Sequence, residues 1–445
     1  GASLTGASSY WNNDCFDDVF RHNGTLRPFK GYCTDVLFSE AIAWIRGRAG
    51  SHEPFFCYLP LNAPHTPLFV PDRYREPFRD QTPAVASFFG MIASIDENFG
   101  KLEAFLRDAG LRDNTLLVFM TDNGTEIGHT VFNAHMRGKK SELYDGGHRV
   151  PFFLRWPKGL PRASRDIDLL AEAQDVLPTL IDLCGFEQPA GARFDGVSLV
   201  PTLLQPDAAP IDRMLVVQYS RWDERRVQQG DAAVLWKKWR LVAGTELYDV
   251  AKDPGQKRNI IGEFPDVAGQ MRAHYDRWWA GVGPRVNEAS PIHVGSDRES
   301  PSVLTPCHWR EGSLDQQNGI RRKKQNGAWD LFVEHDGDYE ISLRRWPIEA
   351  NAAITAGMPE FVPTDRGAVT ETFRFRAAEP IPVASAHVAI AGASQSKPVA
   401  RGDLEITFVA SLSRAPVELR AWFSDAGKNE LCGAYYVYVR RKRGE

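Results

Sequence analysis

The sequence predicts an α/β fold with a mostly parallel sheet flanked by helices, followed by an all-β sandwich. Three observations carry this. A strand-like run, a long amphipathic stretch and a second strand-like run follow one another between residues 54 and 124. That order is the signature of a βαβ unit and so of parallel pairing. Apolar residues recur at three-to-four spacing in the intervening segments, and each of these ends on glycine. After about residue 285 the texture changes to alternating apolar and polar residues punctuated by Gly, Asp and Pro, as in a sandwich of short strands.

The elements follow in order. "YCTDVLFSEAIAWIRGRAG" (32–50) reads as a helix closed by Gly50. "PFFCYLPL" (54–61) reads as a short apolar strand bounded by prolines, and "SFFGMIASIDENFGKLEAFLRDAG" (87–110) as a long helix. "NTLLVFMTDNG" (114–124) reads as a β-branched strand running into an Asp-Asn-Gly turn, and "VPFFLRW" (150–156) as a further strand. "CFDDVFRHNG" (15–24) reads as a polar loop or short helix. Beyond it, "VNEASPIHVGSDRESPSVLTP" (286–306) has the Ser and Pro content of a linker. "AWDLFVEHDGDYEISLRRWP", "GDLEITFVASLSRAPVELRAWFSD" and "GAYYVYVRR" are then strands of the terminal sandwich.

Bulk composition excludes some classes. The 445 residues carry a formal net charge of −4, so no general basic excess recruits nucleic acid or an anionic membrane. The basic run "RRKRGE" at the end is a solvated tail. No stretch approaches the roughly twenty apolar residues of a membrane span. The six cysteines include no CxxC pair and read mostly as buried thiols rather than a zinc or redox motif. Asn23-Gly24-Thr25 fits a glycosylation sequon, which matters only in a secretory eukaryotic context. The first residue is Gly rather than Met and the opening lacks a signal-peptide pattern, which reads as a processed, cloned or truncated product.

In open α/β sheets ligands bind beyond the carboxyl ends of strands. That rule selects "NAPHTP" (62–67) and "TDNG" (121–124). Asp122 and Asn123 read either as an ordinary turn or as oxygen donors for a hard cation. His65 reads either as a surface imidazole or as a general acid or anion contact. Lys139 and Lys140, in "RGKKSELYDGGHRVP" (137–151), are solvated charges unless the chain folds back to bring them to the strand ends.

Taken together and in this order, "APHTP", "FMTDNG", "RGKKSELYDGGHRVP", "QDVLPTLIDLCG" (174–185) and "WKKWRLVAGTELYDVAKDPGQKRNI" (236–260) resemble the type I, formylglycine-dependent sulfatases of the alkaline phosphatase-like superfamily. The resemblance covers roughly residues 10–285. It implies that Asp122 and Asn123 ligate a divalent cation, most naturally Ca²⁺, and that His65 contacts the sulfate ester. It matches Lys140, four residues ahead of Tyr144, to the family's lysine and leaves Lys139 a bystander. His65 or Lys140 would protonate the leaving alcohol, and His135 and Arg137 would shape specificity. The implied substrate is a sulfated polysaccharide or a smaller sulfated sugar, and the implied location is periplasmic or extracellular, since relatives of this kind are exported.

The chain departs from the family at one point. Formylglycine is made from the first residue of Cys/Ser-x-Pro-x-Arg, and no such segment occurs here. Nor does an apolar strand ending in Asp-Asp precede "GYCTD". The expectation is therefore a sulfatase lacking its N-terminal part and inactive alone. The alternatives are a non-catalytic remnant that holds sulfated glycans, or a phosphate or phosphonate ester hydrolase of the same superfamily. The expected division is residues 1–212 for the C-terminal portion of the catalytic α/β domain and 213–285 for a small α+β subdomain. Residues 286–310 would then be a linker and 311–445 a jelly-roll-like β-sandwich similar to accessory domains of bacterial sulfatases.

Overall fold

The computed structural model describes residues 9–51, 53–161, 164–205, 211–220, 226–288, 290–361 and 374–442. The first part opens with a hairpin, β1 (Val19–His22) and β2 (Thr25–Pro28), in antiparallel register from Val19↔Pro28 to His22↔Thr25. The segment expected as loop or short helix is thus partly strand. The two-residue turn is Asn23-Gly24, both at positive φ, a pairing that suits the twist of a hairpin.

Helix α1 (Cys33–Arg46) follows, then the single turn α2 (Asp72–Arg75) and the long α3 (Pro83–Asp108). α3 starts earlier than its apolar pattern suggests because Thr82 caps it, its Oγ1 accepting from the Val85 N–H at 3.4 Å, with Pro83 in the first turn. Phe38 and Ile45 of α1 meet Leu102 and Leu106 of α3 in one buried cluster. Gly90 lets α3 pass close to the α2 backbone: a Cβ there would lie 3.1 Å from Tyr74 backbone atoms. In the same interface Asn98 donates to Asp35 Oδ1 at 2.6 Å.

Strand β3 (Leu117–Met120) pairs with β4 (Phe152–Arg155), and the pairing is antiparallel, Leu117↔Arg155 to Met120↔Phe152. Two local expectations change here. Residues 54–61 form no strand among the described residues, and β3 gains no parallel neighbour. The physical reason is that a strand requires a ladder partner, and the described chain offers none at that edge. Phe55, Leu59 and Leu61 still pack on the α1/α3 cluster, whereas Phe56 and Tyr58 stand 73% and 78% exposed. Helices α4 (Asp145–His148), α5 (Val176–Cys184) and α6 (Val200–Leu204) complete this part, α5 closing on Gly185 at φ +67°.

Next comes a four-stranded antiparallel meander of β5 (Met214–Gln218), β6 (Ala232–Trp236), β7 (Trp239–Val242) and β8 (Glu246–Asp249). Alternation sorts its two faces. Ala232, Val234, Leu241 and Leu247 meet Ala268, Met271 and Tyr275 of α7 (Pro265–Val282). Leu215, Ala233 and Leu235 face the other way, onto Leu143 and Leu170.

The rest of the chain is two sheets around one shared core. β9 (Ile292–Val294) and β10 (Ser302–Leu304) lie inside the stretch read as a linker, yet β9 pairs with β11 (Ala328–Val333) and β10 with β18 (Tyr436–Arg441). Helix α8 (Gln317–Arg322) precedes β11. β12 (Gly337–Arg344) and β15 (Ile406–Leu412) complete the four-stranded sheet in the order β10-β18-β12-β15. The other sheet takes β13 (Ser385–Ile390), β14 (Ala393–Pro398) and β16 (Pro416–Ser424) in the order β14-β13-β16-β11-β9, with β17 (Glu430–Gly433) beside β16. Trp329, Tyr339, Trp346, Phe408 and Phe423 fill the space between the sheets.

The two regions interlock. Trp11 packs on Trp346 and Tyr436 of the C-terminal core, with ring centroids 5.6 and 6.5 Å away, and Arg321 donates to Asn12 Oδ1 at 2.7 Å. In return Phe375 meets Phe69 edge-on at 6.2 Å. The cysteines are less uniformly buried than their scatter implies: Cys33 and Cys432 are buried, Cys15 and Cys307 partly so, and Cys57 and Cys184 exposed. No described helix is long and apolar enough to cross a membrane.

Candidate functional site

The site is organised by three glycines at the point where the chain doubles back. A Cβ on Gly124 would lie 1.9 Å from the Gly146 carbonyl oxygen, on Gly146 2.2 Å from that of Gly138, and on Gly147 2.0 Å from that of Glu142. Such approaches exclude any side chain, so the turn at 122–124 can stack directly on the Gly146-Gly147 pair. Two backbone hydrogen bonds fasten it, Gly124 N–H to Gly147 O at 2.9 Å and Lys140 N–H to Thr125 O at 3.0 Å. The fold-back that spacing alone left open is therefore made, and Lys140 joins the segment carrying Asp122 and Asn123.

The two lysines differ in what they touch. Lys139 Nζ lies 3.0 Å from Glu126 Oε1, and this hydrogen bond raises its pKa above the usual lysine value. Lys140 makes no side-chain ion pair among the described residues, so its ammonium is the one left for an external anion.

Asp122 is exposed, and its carboxylate carries no hydrogen bond or ion pair among the described residues. Asn123 Nδ2 donates to Gly124 O at 3.0 Å, which leaves the amide Oδ1 as an acceptor. One carboxylate and one amide oxygen fit a hard divalent cation by donor chemistry. They make only part of the six to eight oxygens that Ca²⁺ takes, and no described group of three or more His, Cys, Asp or Glu side chains could hold a metal.

His65 projects from the loop after residue 61. Its N–H donates to Asn62 O at 2.9 Å, and Nδ1 lies 2.7 Å from Thr66 O. A carbonyl only accepts, so Nδ1 carries the proton and Nε2 is left for another partner. No hydrogen bond joins His65 to Asp122, Asn123 or Lys140. The two segments share a foundation instead, the buried cluster of Ala63, Leu68 and Phe88 on which Ile127 packs.

Arg137 is a strut as much as a surface cation. Its Nη1 donates to Gln256 O at 3.0 Å and Tyr248 Oη at 3.3 Å, and its guanidinium stands 3.7 Å from the Tyr144 ring centroid. Burial, reinforced by Glu246, pushes the Tyr248 hydroxyl up to about 12, so it stays protonated. His135 is exposed at φ +64°.

Several bracing residues were not singled out in the sequence. Asn133 Nδ2 donates to Met136 O and Gly138 O at 2.9 and 2.8 Å, crossing the loop. Asp145 is buried against Arg240, with Nε 2.9 Å from Oδ1, and its N–H donates to Gln256 Oε1 at 2.8 Å. The visible signal was "DPGQKRN", but nothing in that segment says its glutamine reaches back more than a hundred positions.

The described chain is thus mixed α/β, with hard oxygen donors at the end of β3 and the Lys140 ammonium on the segment folded back beside them. Residues 2–186 match the family model Sulfatase, and residues 135–276 match N-sulphoglucosamine sulphohydrolase, C-terminal. Through these residues the chain belongs to the sulfatase family. It is 32% identical over 226 residues to the uncharacterized sulfatase YdeN of Escherichia coli, a match covering 49% of this chain and 39% of that protein. It is 30% identical over 184 residues to the human N-acetylgalactosamine-6-sulfatase, covering 40% and 34%. Among solved structures, Ps i-CgsB in complex with k-i-k-neocarrahexaose aligns at 28% identity and a TM-score of 0.52, over 58% of this chain and 57% of that one. The chain thus spans well under two thirds of these relatives.

Proposed function

We propose that this chain forms part of a hydrolase of sulfate esters on carbohydrate. The observation that carries it is the fold-back, which leaves the Lys140 ammonium unpaired beside the segment of Asp122 and Asn123. The relatives' printed names, one an N-acetylgalactosamine-6-sulfatase and one solved in complex with k-i-k-neocarrahexaose, support a sugar carrier.

Asp122 and Asn123 would hold a divalent cation, Ca²⁺ first. A cation there supplies positive charge that stabilises the transferring group and the leaving oxygen. Lys140 binds the sulfate oxygens and opposes the negative charge that grows on them. His65, with Nδ1 tied to Thr66 O, presents Nε2 to the ester and, when protonated, can give a proton to the leaving alcohol. His135 and Arg137 would border the sugar. No Cys/Ser-x-Pro-x-Arg segment occurs in the sequence, so no step through formylglycine is assigned to these residues. We read the C-terminal sheets as an accessory β-sandwich beside this site.

Calorimetric titration with CaCl₂ and with a sulfated N-acetylgalactosamine oligosaccharide tests the reading. Both should bind, Asp122→Ala should weaken the first, and Lys140→Ala the second. Absence of sulfated-sugar binding in the folded chain would refute it. The purified 445-residue chain should leave 4-nitrophenyl sulfate intact, and steady turnover would show that a nucleophile of another kind is present.

A further inference from the structure

We propose that Cys15 and Cys33 are a dithiol–disulfide pair, a redox modification site independent of the sulfatase reading. Phe16 and Tyr32 form an antiparallel bridge, and that register sets Cys15 directly opposite Cys33. The Cys33 N–H donates to Cys15 O at 2.7 Å, and on the other side of the Phe16–Tyr32 bridge the Asp17 N–H donates to Gly31 O at 2.9 Å. Opposed residues in such a ladder have Cα atoms about 4.5–5.5 Å apart. A disulfide needs about 4.4–6.8 Å, so this register is compatible with a bridge.

The side chains agree with the backbone. The neighbouring Cys33 thiol, ahead of burial and the Asp18 and Asp14 carboxylates, holds the pKa of the Cys15 thiol well above the usual value. Cys15 sits at φ +74°, a left-handed conformation that a non-glycine residue adopts rarely, in a turn pinned by Asp18 accepting from the Asp14 and Cys15 N–H groups at 2.9 and 3.1 Å.

The chemistry is exchange with a small-molecule disulfide such as oxidised glutathione. Cys15, the less buried residue of the two, attacks as thiolate one donor sulfur and releases one donor thiolate, which takes up the proton Cys15 lost. Buried Cys33 then loses its proton and attacks the Cys15 sulfur, and the second donor thiol leaves. Two protein thiols are oxidised to one disulfide, and the donor disulfide is reduced to two thiols. Because the raised pKa keeps thiolate scarce, the reaction is slow at neutral pH and accelerates with alkalinity. The product closes the β1–β2 hairpin covalently onto the first residue of α1. Cys33 and Phe16 belong to the cluster that contains Ala63 and Leu68, so the crosslink stiffens the floor beneath the His65 loop.

The test incubates the folded chain with oxidised glutathione at mildly alkaline pH, alkylates remaining thiols and maps peptides by mass spectrometry. The expected result is a Cys15–Cys33 peptide lighter by two hydrogens, with a higher thermal midpoint that dithiothreitol reverses. Cys15→Ser should lose both changes, and the double variant Cys57→Ser, Cys184→Ser should keep both. Should Cys33→Ser misfold, Cys15→Ser alone still decides, since Cys15 is the less buried residue of the two. Cys15 and Cys33 both alkylated after oxidation, or either one joined to another cysteine, would overturn the assignment.

Discussion

Asp145 and Arg240 show how little of this site a residue's type discloses. Both side chains are almost wholly buried, at 2% and 7% exposure, and each is the other's countercharge. Removing one partner leaves an uncompensated buried charge, so Arg240→Ala should cost about 3–5 kcal/mol in a urea titration. The glycines are as demanding. Gly147→Ala drives a Cβ into the Glu142 carbonyl, and about 1–3 kcal/mol of stability should go, together with sulfated-sugar binding measured by calorimetry. His148 gives a pH signature. Burial holds its pKa below the usual 6.5, against the opposing pull of Asp145, while Nε2 lies 3.2 Å from Leu143 O. As pH falls below 6.5 the unfolded chain takes up this proton before the folded one does. Stability is therefore intact above that value and lost as pH drops toward the folded pKa. His148→Gln should flatten this acid limb, and an unchanged slope would assign it to other groups.

At the scale of elements, the loop that carries Lys140 is held from outside itself. The β5–β8 meander reaches it through Leu143, Tyr248 and Arg240, and the turn after β8 through Gln256. Gln256→Ala strands the buried Asp145 N–H, which should lower the unfolding free energy by about 1–3 kcal/mol and weaken sulfated-sugar binding without touching the sugar. Helices were the most legible elements. α1, α3 and α5 each carry an apolar stripe and a terminal glycine nearby, and those are local properties. Residues 54–61 were the least legible: their composition is strand-like, yet pairing needs a partner that composition cannot name.

Over the whole molecule, the exchange of aromatic side chains ties the α/β part to the C-terminal sheets. Trp11→Ala, which empties a site against Trp346 and Tyr436, should cost about 3–5 kcal/mol and lower the calorimetric melting of both regions. A variant that shifts one transition and leaves the other in place would show the regions to be energetically independent. The sequence by itself determined the class of fold, the family resemblance and the short motifs with His65, Asp122, Asn123 and Lys140, because capping, alternation and strand-end turns are written within a few residues of one another. Only the tertiary structure decided which lysine is free, which cysteines face each other, and that β3 pairs antiparallel with β4. Those outcomes depend on contacts between residues far apart in the chain, where glycine lets two backbones touch and a buried acid finds its arginine, and no local pattern encodes them.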